Sequence, residues 1–217
     1  MIEKNEKVIV LDTETTNDLD CPIVYDLGFA VVDLAGNVYE THSYVVADIF
    51  LDKELMASAF FADKIPQYWE DIKQGKRIMR KWQTIKAILA DVCTQYGVTK
   101  IFAHNAIFDW RSCQTTQRYL TCSKYRYFFP YQIELWDTLQ MARKLMGDDY
   151  KEWCYVNNYL TSRLCARYTA EIIYRYLMQN DEFEEAHTAL EDVLIEKEIM
   201  CYCLENAPDF DGRLWKN

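Results

Sequence analysis

The residues of this chain best placed to do chemistry together are carboxylates. Asp12 and Glu14 stand two apart in LDTETT, directly after the apolar run Val8-Ile9-Val10-Leu11. Such a β-favouring run predicts a buried strand over Lys7–Glu14, and residues two apart in a strand project to the same face, with roughly 6 to 7 Å between their Cα atoms. Two carboxylates so placed repel one another. A hard divalent cation such as Mg²⁺ or Mn²⁺, which takes oxygen ligands, relieves the repulsion. Taken alone, D-x-E in an acidic chain reads first as a solvated strand end.

Two further segments carry the same residue types. In His104-Asn105-Ala106-Ile107-Phe108-Asp109 a strand gives way to a helix, with Asn105 as the expected N-cap. Capping and packing account for His104 and Asn105 as well as function does. Asp109 differs, because a carboxylate flanked by Phe108 and Trp110 needs solvent, a partner or a metal. In AHTALEDVLIEKEIM, beginning at Ala186, Thr188 and Glu191 form a T-x-x-E capping box that starts a helix at Ala189. His187 and Asp192 then occupy the positions where an apolar staple ordinarily sits. An imidazole and a carboxylate there sacrifice a stabilising contact, a departure expected mainly at functional sites. Asp192 also gains as an anion in the first helical turn. The bare H-x4-D spacing recurs in His104 and Asp109, so spacing alone says little. What sets His187 apart is its loop position, free to swing toward a water, against the plainer reading of a surface histidine beside a solvated helix end.

The elements that must position these residues follow from periodicity. Tyr25–Asp33 and Val38–Val46 read as strands joined through Leu34-Ala35-Gly36-Asn37. Tyr68 to Tyr96 reads as helical with a break near Gly75: Ile78, Trp82, Ile85, Leu89 and Val92 recur at three- and four-residue steps. Lys73, Lys76, Arg77 and Arg80 fall opposite them as a solvated basic face, or as a track for phosphates. A fourth strand over Thr99–Ala103 enters a helix, a fifth in IELWD passes into a helix near Thr138, and helices fill most of the remainder. The aromatic segment Tyr125–Tyr131 mixes stacking surfaces with a cation but is assigned to packing, as are Trp153, Tyr159, Tyr168, Tyr174 and Tyr176. The acidic run Asp181–Glu185 reads as a solvated loop.

Taken together and in order, D-x-E closing the first strand, HNAxFD on a later one and H-x4-D opening a late helix, the chain resembles the DEDDh 3′→5′ exonucleases. That family includes the proofreading subunit of bacterial DNA polymerase III, oligoribonuclease and ribonuclease T. The resemblance runs from about Val8 to about Leu204 and includes the softer DLGFAVVD and WDTLQMARKL segments, while residues 48–96 and 144–185 have no distinctive match. It implies an α/β, ribonuclease H-like fold with a mixed five-stranded sheet flanked by helices. It also implies that Asp12, Glu14, Asp109 and Asp192 hold two Mg²⁺ or Mn²⁺ ions and that His187 is the general base. By the same analogy Asp12 bridges the ions, Glu14 and Asp192 hold the one that binds the nucleophile, and Asp109 serves the other. Thr15 would lie near the terminal 3′-hydroxyl, Asn105 and Phe108 would shape the nucleotide pocket, and the product would be a nucleoside 5′-monophosphate.

Composition bounds this reading. With 217 residues, 50% hydrophobic and 27% charged, six glycines and four prolines, the chain is expected to form a single domain over residues 1–217. Lys and Arg total 24 against 34 Asp and Glu, a formal charge of -10, which argues against wide wrapping of a duplex but allows a small site that grips a chain end. The eight cysteines form no C-x-x-C pair and follow no secretory signal, so reduced thiols and a cytoplasmic location are expected. No apolar stretch reaches the ~18 residues of a membrane span. Only 25 residues follow Asp192, too few for a polymerase-tethering tail, and a homodimer is left open. The function expected is metal-dependent 3′→5′ trimming of single-stranded DNA or RNA. Its competitors are a non-catalytic module that binds nucleic-acid ends or a protein, and a phosphodiesterase for dinucleotides and very short oligomers, which would suit the acidic surface.

Overall fold

Val8 to Leu11 are all fully buried, which explains why this strand shows a continuous apolar run rather than alternation: the sheet is covered on both faces. The computed structural model describes residues 6–122, 127–207, 209 and 211–216. Of the Tyr125–Tyr131 segment, Tyr125 and Arg126 lie outside the described residues.

The chain opens as an antiparallel meander, β1 (Lys7–Thr16), β2 (Ile23–Asp33) and β3 (Val38–Val46). The β2–β3 turn is fastened by Asp33, whose carboxylate accepts from the amides of Ala35 and Asn37, the Asn37 side chain and the Tyr39 hydroxyl, with Gly36 in the left-handed region at φ 82°. Two short helices, α1 (Ala47–Phe50) and α2 (Lys53–Met56), and a 3₁₀ turn (Ala62–Lys64) lead to α3 (Ile65–Lys73). Then follow β4 (Ile78–Arg80), α4 (Trp82–Tyr96), β5 (Lys100–Ala103), α5 (Ala106–Thr121), β6 (Glu134–Asp137) and α6 (Thr138–Leu145). The chain finishes with α7 (Asp148–Val156), α8 (Ala170–Met178), α9 (Ala189–Asn206) and β7 (Arg213–Lys216). The strand order is β4-β3-β2-β1-β5-β6-β7, with β1–β5, β5–β6 and β3–β4 parallel and β6–β7 antiparallel.

The sheet therefore has seven strands where five were expected. The two additions are edge strands of three and four residues, below the length at which alternation can be read. One of them, Ile78-Met79-Arg80, breaks the helix expected across Tyr68–Tyr96 into α3 and α4.

One face of β1 and β2 (Ile9, Leu11, Leu27, Phe29) packs with Ile85 and Leu89 of α4 and Cys113 of α5. The other (Val8, Val10, Ala30, Val32) packs with Val193, Ile199 and Met200 of α9 and Met141 of α6. Period two then continues to the strand's end: Asp12 and Glu14 extend the face that meets α9, and Thr13 extends the face that meets α5. All eight cysteines are free, Cys93, Cys113, Cys154, Cys201 and Cys203 being buried. Among the described residues no helix is long and apolar enough to cross a membrane.

Candidate metal centre

Three chain segments converge at the C-terminal end of β1. The antiparallel register sets Asp12 opposite Gly28 and Glu14 opposite Asp26. Parallel pairing with β5 aligns Val10 with Phe102, which brings the β5–α5 junction, and with it Asp109 in the first turn of α5, to the same end. The third segment is the start of α9, which lies directly on Gly28. A Cβ there would come within 2.4 Å of the Leu190 amide nitrogen and 2.5 Å of the Ala189 carbonyl carbon, so only glycine admits the helix at this depth.

One carboxylate oxygen each from Asp12, Glu14 and Asp192 consequently lies within 4.8 Å of the other two. Asp109 is buried and accepts a 2.8 Å hydrogen bond from Thr13 Oγ1; it acts electrostatically on Asp12 and Glu14 but stands outside that close triplet. Burial is the first cause that raises each carboxyl: Asp12 well above the usual range, Glu14 to about 9, Asp192 to about 8 and Asp109 to about 7. The charged neighbours that come next are other carboxylates, Glu196 and Asp109 on Asp12, Asp192 and Asp26 on Glu14, and Glu185 on Asp192. Asp192 Oδ1 is buried with no hydrogen-bond donor. A crowded set of hard oxygen donors, one of them orphaned, fits a divalent cation of the Mg²⁺ or Mn²⁺ type.

Linkage gives this crowding a measurable sign. These carboxyls titrate above their unfolded values of about 4, so the folded chain binds more protons than the unfolded one through the intervening range. Their contribution to stability is full below pH ~4 and is lost as pH rises toward ~9. In chelator, the melting temperature is expected to fall from pH 5 to pH 9, and Mg²⁺ or Mn²⁺ at pH 8 should restore it. A flat profile with no response to metal would contradict the arrangement.

Two carboxylates depart from the sequence reading, which passes over Glu196 and places Glu185 in a solvated loop although its side chain is largely buried. Glu196, 3% exposed and one turn beyond Asp192 on α9, accepts the His104 amide at 3.2 Å and so ties α9 to the end of β5. Glu185 is pushed up to about 7, first by burial and then by Glu171. The available signal for Glu196 was its i, i+4 spacing from Asp192 in an otherwise apolar helix face.

His187 lies in the loop before α9, as expected, with a left-handed φ of 48°. It is not stapled to Asp192. Its ring stacks on Phe61 at 4.3 Å and 13°, its Nδ1 lies 3.7 Å from Glu185 Oε2, and Lys64 donates to the carbonyl of the preceding Ala186. Burial first, then Lys64, lowers its pKa, keeping the imidazole neutral and able to accept a proton near pH 7.

Thr188 is the N-cap and α9 begins at Ala189, but the capping box does not form. The Thr188 hydroxyl donates to Glu191 Oε2 at 2.8 Å, and the first helical amide, Ala189, is capped by Asp26 Oδ2 at 3.1 Å from across the sheet. Asp26 is held in turn by the Tyr68 hydroxyl at 2.7 Å and by Arg77. Arg77 overturns the solvated basic face: it is 2% exposed and its guanidinium reaches Asp26, Asp71, Glu191 and Ser43. Lys73, Lys76 and Arg80 remain exposed. The strand β4 takes this segment out of helical periodicity and turns Arg77 inward.

The looser candidates are also placed. Thr15 is half-buried at the β1 bulge that follows Glu14. Asn105 occupies the N-cap position of α5 but with φ 69° and no side-chain cap; its amide donates to Asp137 Oδ1 at 3.1 Å instead. Phe108 is half-buried. His104 is structural: Nε2 donates to the Tyr168 carbonyl at 2.7 Å and Nδ1 meets the Thr138 hydroxyl at 3.0 Å.

No protein-family model matches the chain, and no curated protein matches it. Solved structures do. An exonuclease I from Methylocaldum szegediense superposes with a TM-score of 0.60 at 16% identity, over 94% of this chain and 41% of that one. The zinc-bound E. coli exonuclease I–ssDNA complex gives 0.58 at 16% identity over 94% and 41%. E. coli exonuclease I with a dT13 oligonucleotide gives 0.54 at 14% identity over 94% and 42%. The fold is that of exonuclease I. It is the ribonuclease H-like arrangement, and this chain spans about two-fifths of the exonuclease I chains it matches. Within the exonuclease I fold as it appears here, the carboxylate triplet caps the central strand β1.

Proposed function

We propose that this chain is, as a single domain, a metal-dependent 3′→5′ exonuclease that hydrolyses the terminal phosphodiester of single-stranded DNA or RNA and releases nucleoside 5′-monophosphates. The observation that carries the reading is the close triplet of Asp12, Glu14 and Asp192 with an orphaned Asp192 oxygen, in the exonuclease I fold. Exonuclease I itself has been solved with single-stranded oligonucleotides, which supports a single-stranded substrate here.

Asp12, Glu14, Asp109 and Asp192 would hold two divalent cations. When bound, such ions supply charge stabilisation to the attacking and leaving oxygens of an in-line displacement. His187 takes the proton of the attacking water. With Nδ1 turned toward Glu185, Nε2 is the accepting atom, and Glu185 steadies the imidazolium that results. Thr15, Asn105 and Phe108 contact the terminal nucleotide.

The test is a panel of 5′-labelled single-stranded DNA, duplex DNA, RNA and dinucleotide, run with Mg²⁺, with Mn²⁺ and with chelator. Stepwise 3′ shortening that requires metal supports the proposal; intact substrate throughout refutes it, and activity that rises as the oligomer shortens would favour the short-oligomer reading. His187→Ala should fold normally and lose about 10²- to 10⁴-fold in rate, and a rate close to wild type would remove His187 from its role.

Phe61 holds the imidazole, so Phe61→Leu should lower kcat by about tenfold with KM nearly unchanged, as expected for a misplaced proton acceptor. Phe61→Tyr, which keeps the stacked ring, should restore most of it. Equal rates for wild type and Phe61→Leu would show that the stack positions nothing.

A further inference from the structure

A concave site lies well away from the carboxylate triplet. Helices α7, α8 and α9 enclose an open cleft of about 510 Å³, lined by Trp153, Tyr176, Leu177, Gln179, Asp181 and Tyr202. From Asp192 to Tyr202 is ten residues along α9, roughly 15 Å at 1.5 Å per residue. The aromatic wall is fixed by its own packing: the Trp153 indole lies 5.1 Å from Tyr159 and 5.3 Å from Tyr176, and Tyr150 meets Tyr176 edge-on at 5.0 Å.

Of the polar groups on the rim, the Asp181 carboxylate only accepts, while the Gln179 amide and the Tyr176 and Tyr202 hydroxyls can both accept and donate. Asp181 opens the acidic run DEFEE, in which Glu182 and Glu184 are exposed. Flat π faces beside a carboxylate suit a planar cation with several N–H donors, which is a guanidinium. A lysine ammonium would use the charge but not the stacking geometry. A nucleotide base would stack, yet its phosphate would be repelled by Asp181 and by the chain's net negative charge.

The same region already holds one such arrangement within the chain. The Arg175 guanidinium lies 5.5 Å over the Tyr159 ring, with NH1 on the Tyr159 hydroxyl at 2.9 Å and NH2 on Glu171. A chain of net charge -10 also attracts basic partners at long range. We propose that the α7–α8–α9 cleft docks an arginine side chain from a basic segment of a partner protein. The proposal is independent of the nuclease reading.

The test is an NMR titration of the whole chain with the blocked peptide acetyl-Gly-Arg-Arg-Gly-amide, following the Trp153 indole N–H and the Gln179 side-chain amide. Both resonances should shift saturably, and the lysine counterpart should bind more weakly. Asp181→Asn, an exposed position whose change should leave the melting temperature unaltered, should weaken binding about tenfold. The proposal is overturned if the resonances do not move, if Asp181→Asn binds as tightly as wild type, if the lysine peptide binds equally well, or if adenosine monophosphate shifts them and the arginine peptide does not.

Discussion

Asp12→Asn is expected to reduce phosphodiester hydrolysis by roughly a thousandfold, about 4 kcal/mol of barrier, while raising the melting temperature of the metal-free protein. The opposite signs share one cause. Asp12 is raised by burial and by Glu196, Asp109, Glu14 and Asp192 around it, so its charge is unfavourable unless a cation is present. An amide of the same shape removes that repulsion and removes a metal ligand at once. In chelator at pH 8 the variant should therefore melt above wild type, and adding Mg²⁺ or Mn²⁺ should close the gap by stabilising wild type alone. Retained activity, or a variant that melts lower in chelator, would mean that the triplet does not serve a metal.

Arg77→Met should cost about 3 to 5 kcal/mol of stability, because it leaves Asp26 buried without its cation and Asp71 with only the exposed Lys76. For a chain of this length that is a drop of roughly 10 °C in melting temperature. The matched control is Arg80→Met, three residues on and exposed, which should stay within about 0.5 kcal/mol of wild type. Activity should fall with Arg77→Met as well, since Asp26 caps Ala189 and Glu191 binds Thr188 at the helix start that presents Asp192 and follows His187. If the two arginine variants unfold alike, Arg77 is not the fastening of α9.

Both results bear on why the sequence reading succeeded where it did. Strand β1 was legible because a buried run that ends in D-x-E obeys a rule two residues long. The start of α9 at Ala189 was legible for a similar reason, although the hydrogen bond that caps it comes from Asp26 rather than from the local box. Arg77 was misread because the same periodic reasoning, carried across Gly75, found a helix where the chain folds as α3, a turn and an edge strand. The Phe61 stack and the Gly28 contact gave no sequence signal at all, since neither residue has a local partner that explains it.

The sequence by itself determined which residues could bear charge and, for β1 and the start of α9, which side of the element they occupy, because alternation and capping depend on neighbours a few positions apart. Only the tertiary structure decided which of them meet. Thr13 and Asp109 are 96 residues apart, Arg77 and Glu191 are 114, and Asp26 and Ala189 are 163. Contacts at such separations are set by strand register and helix placement across the whole sheet, so Asp12, Glu14 and Asp192 become one site through β1–β2 pairing and the glycine that lets α9 rest upon it.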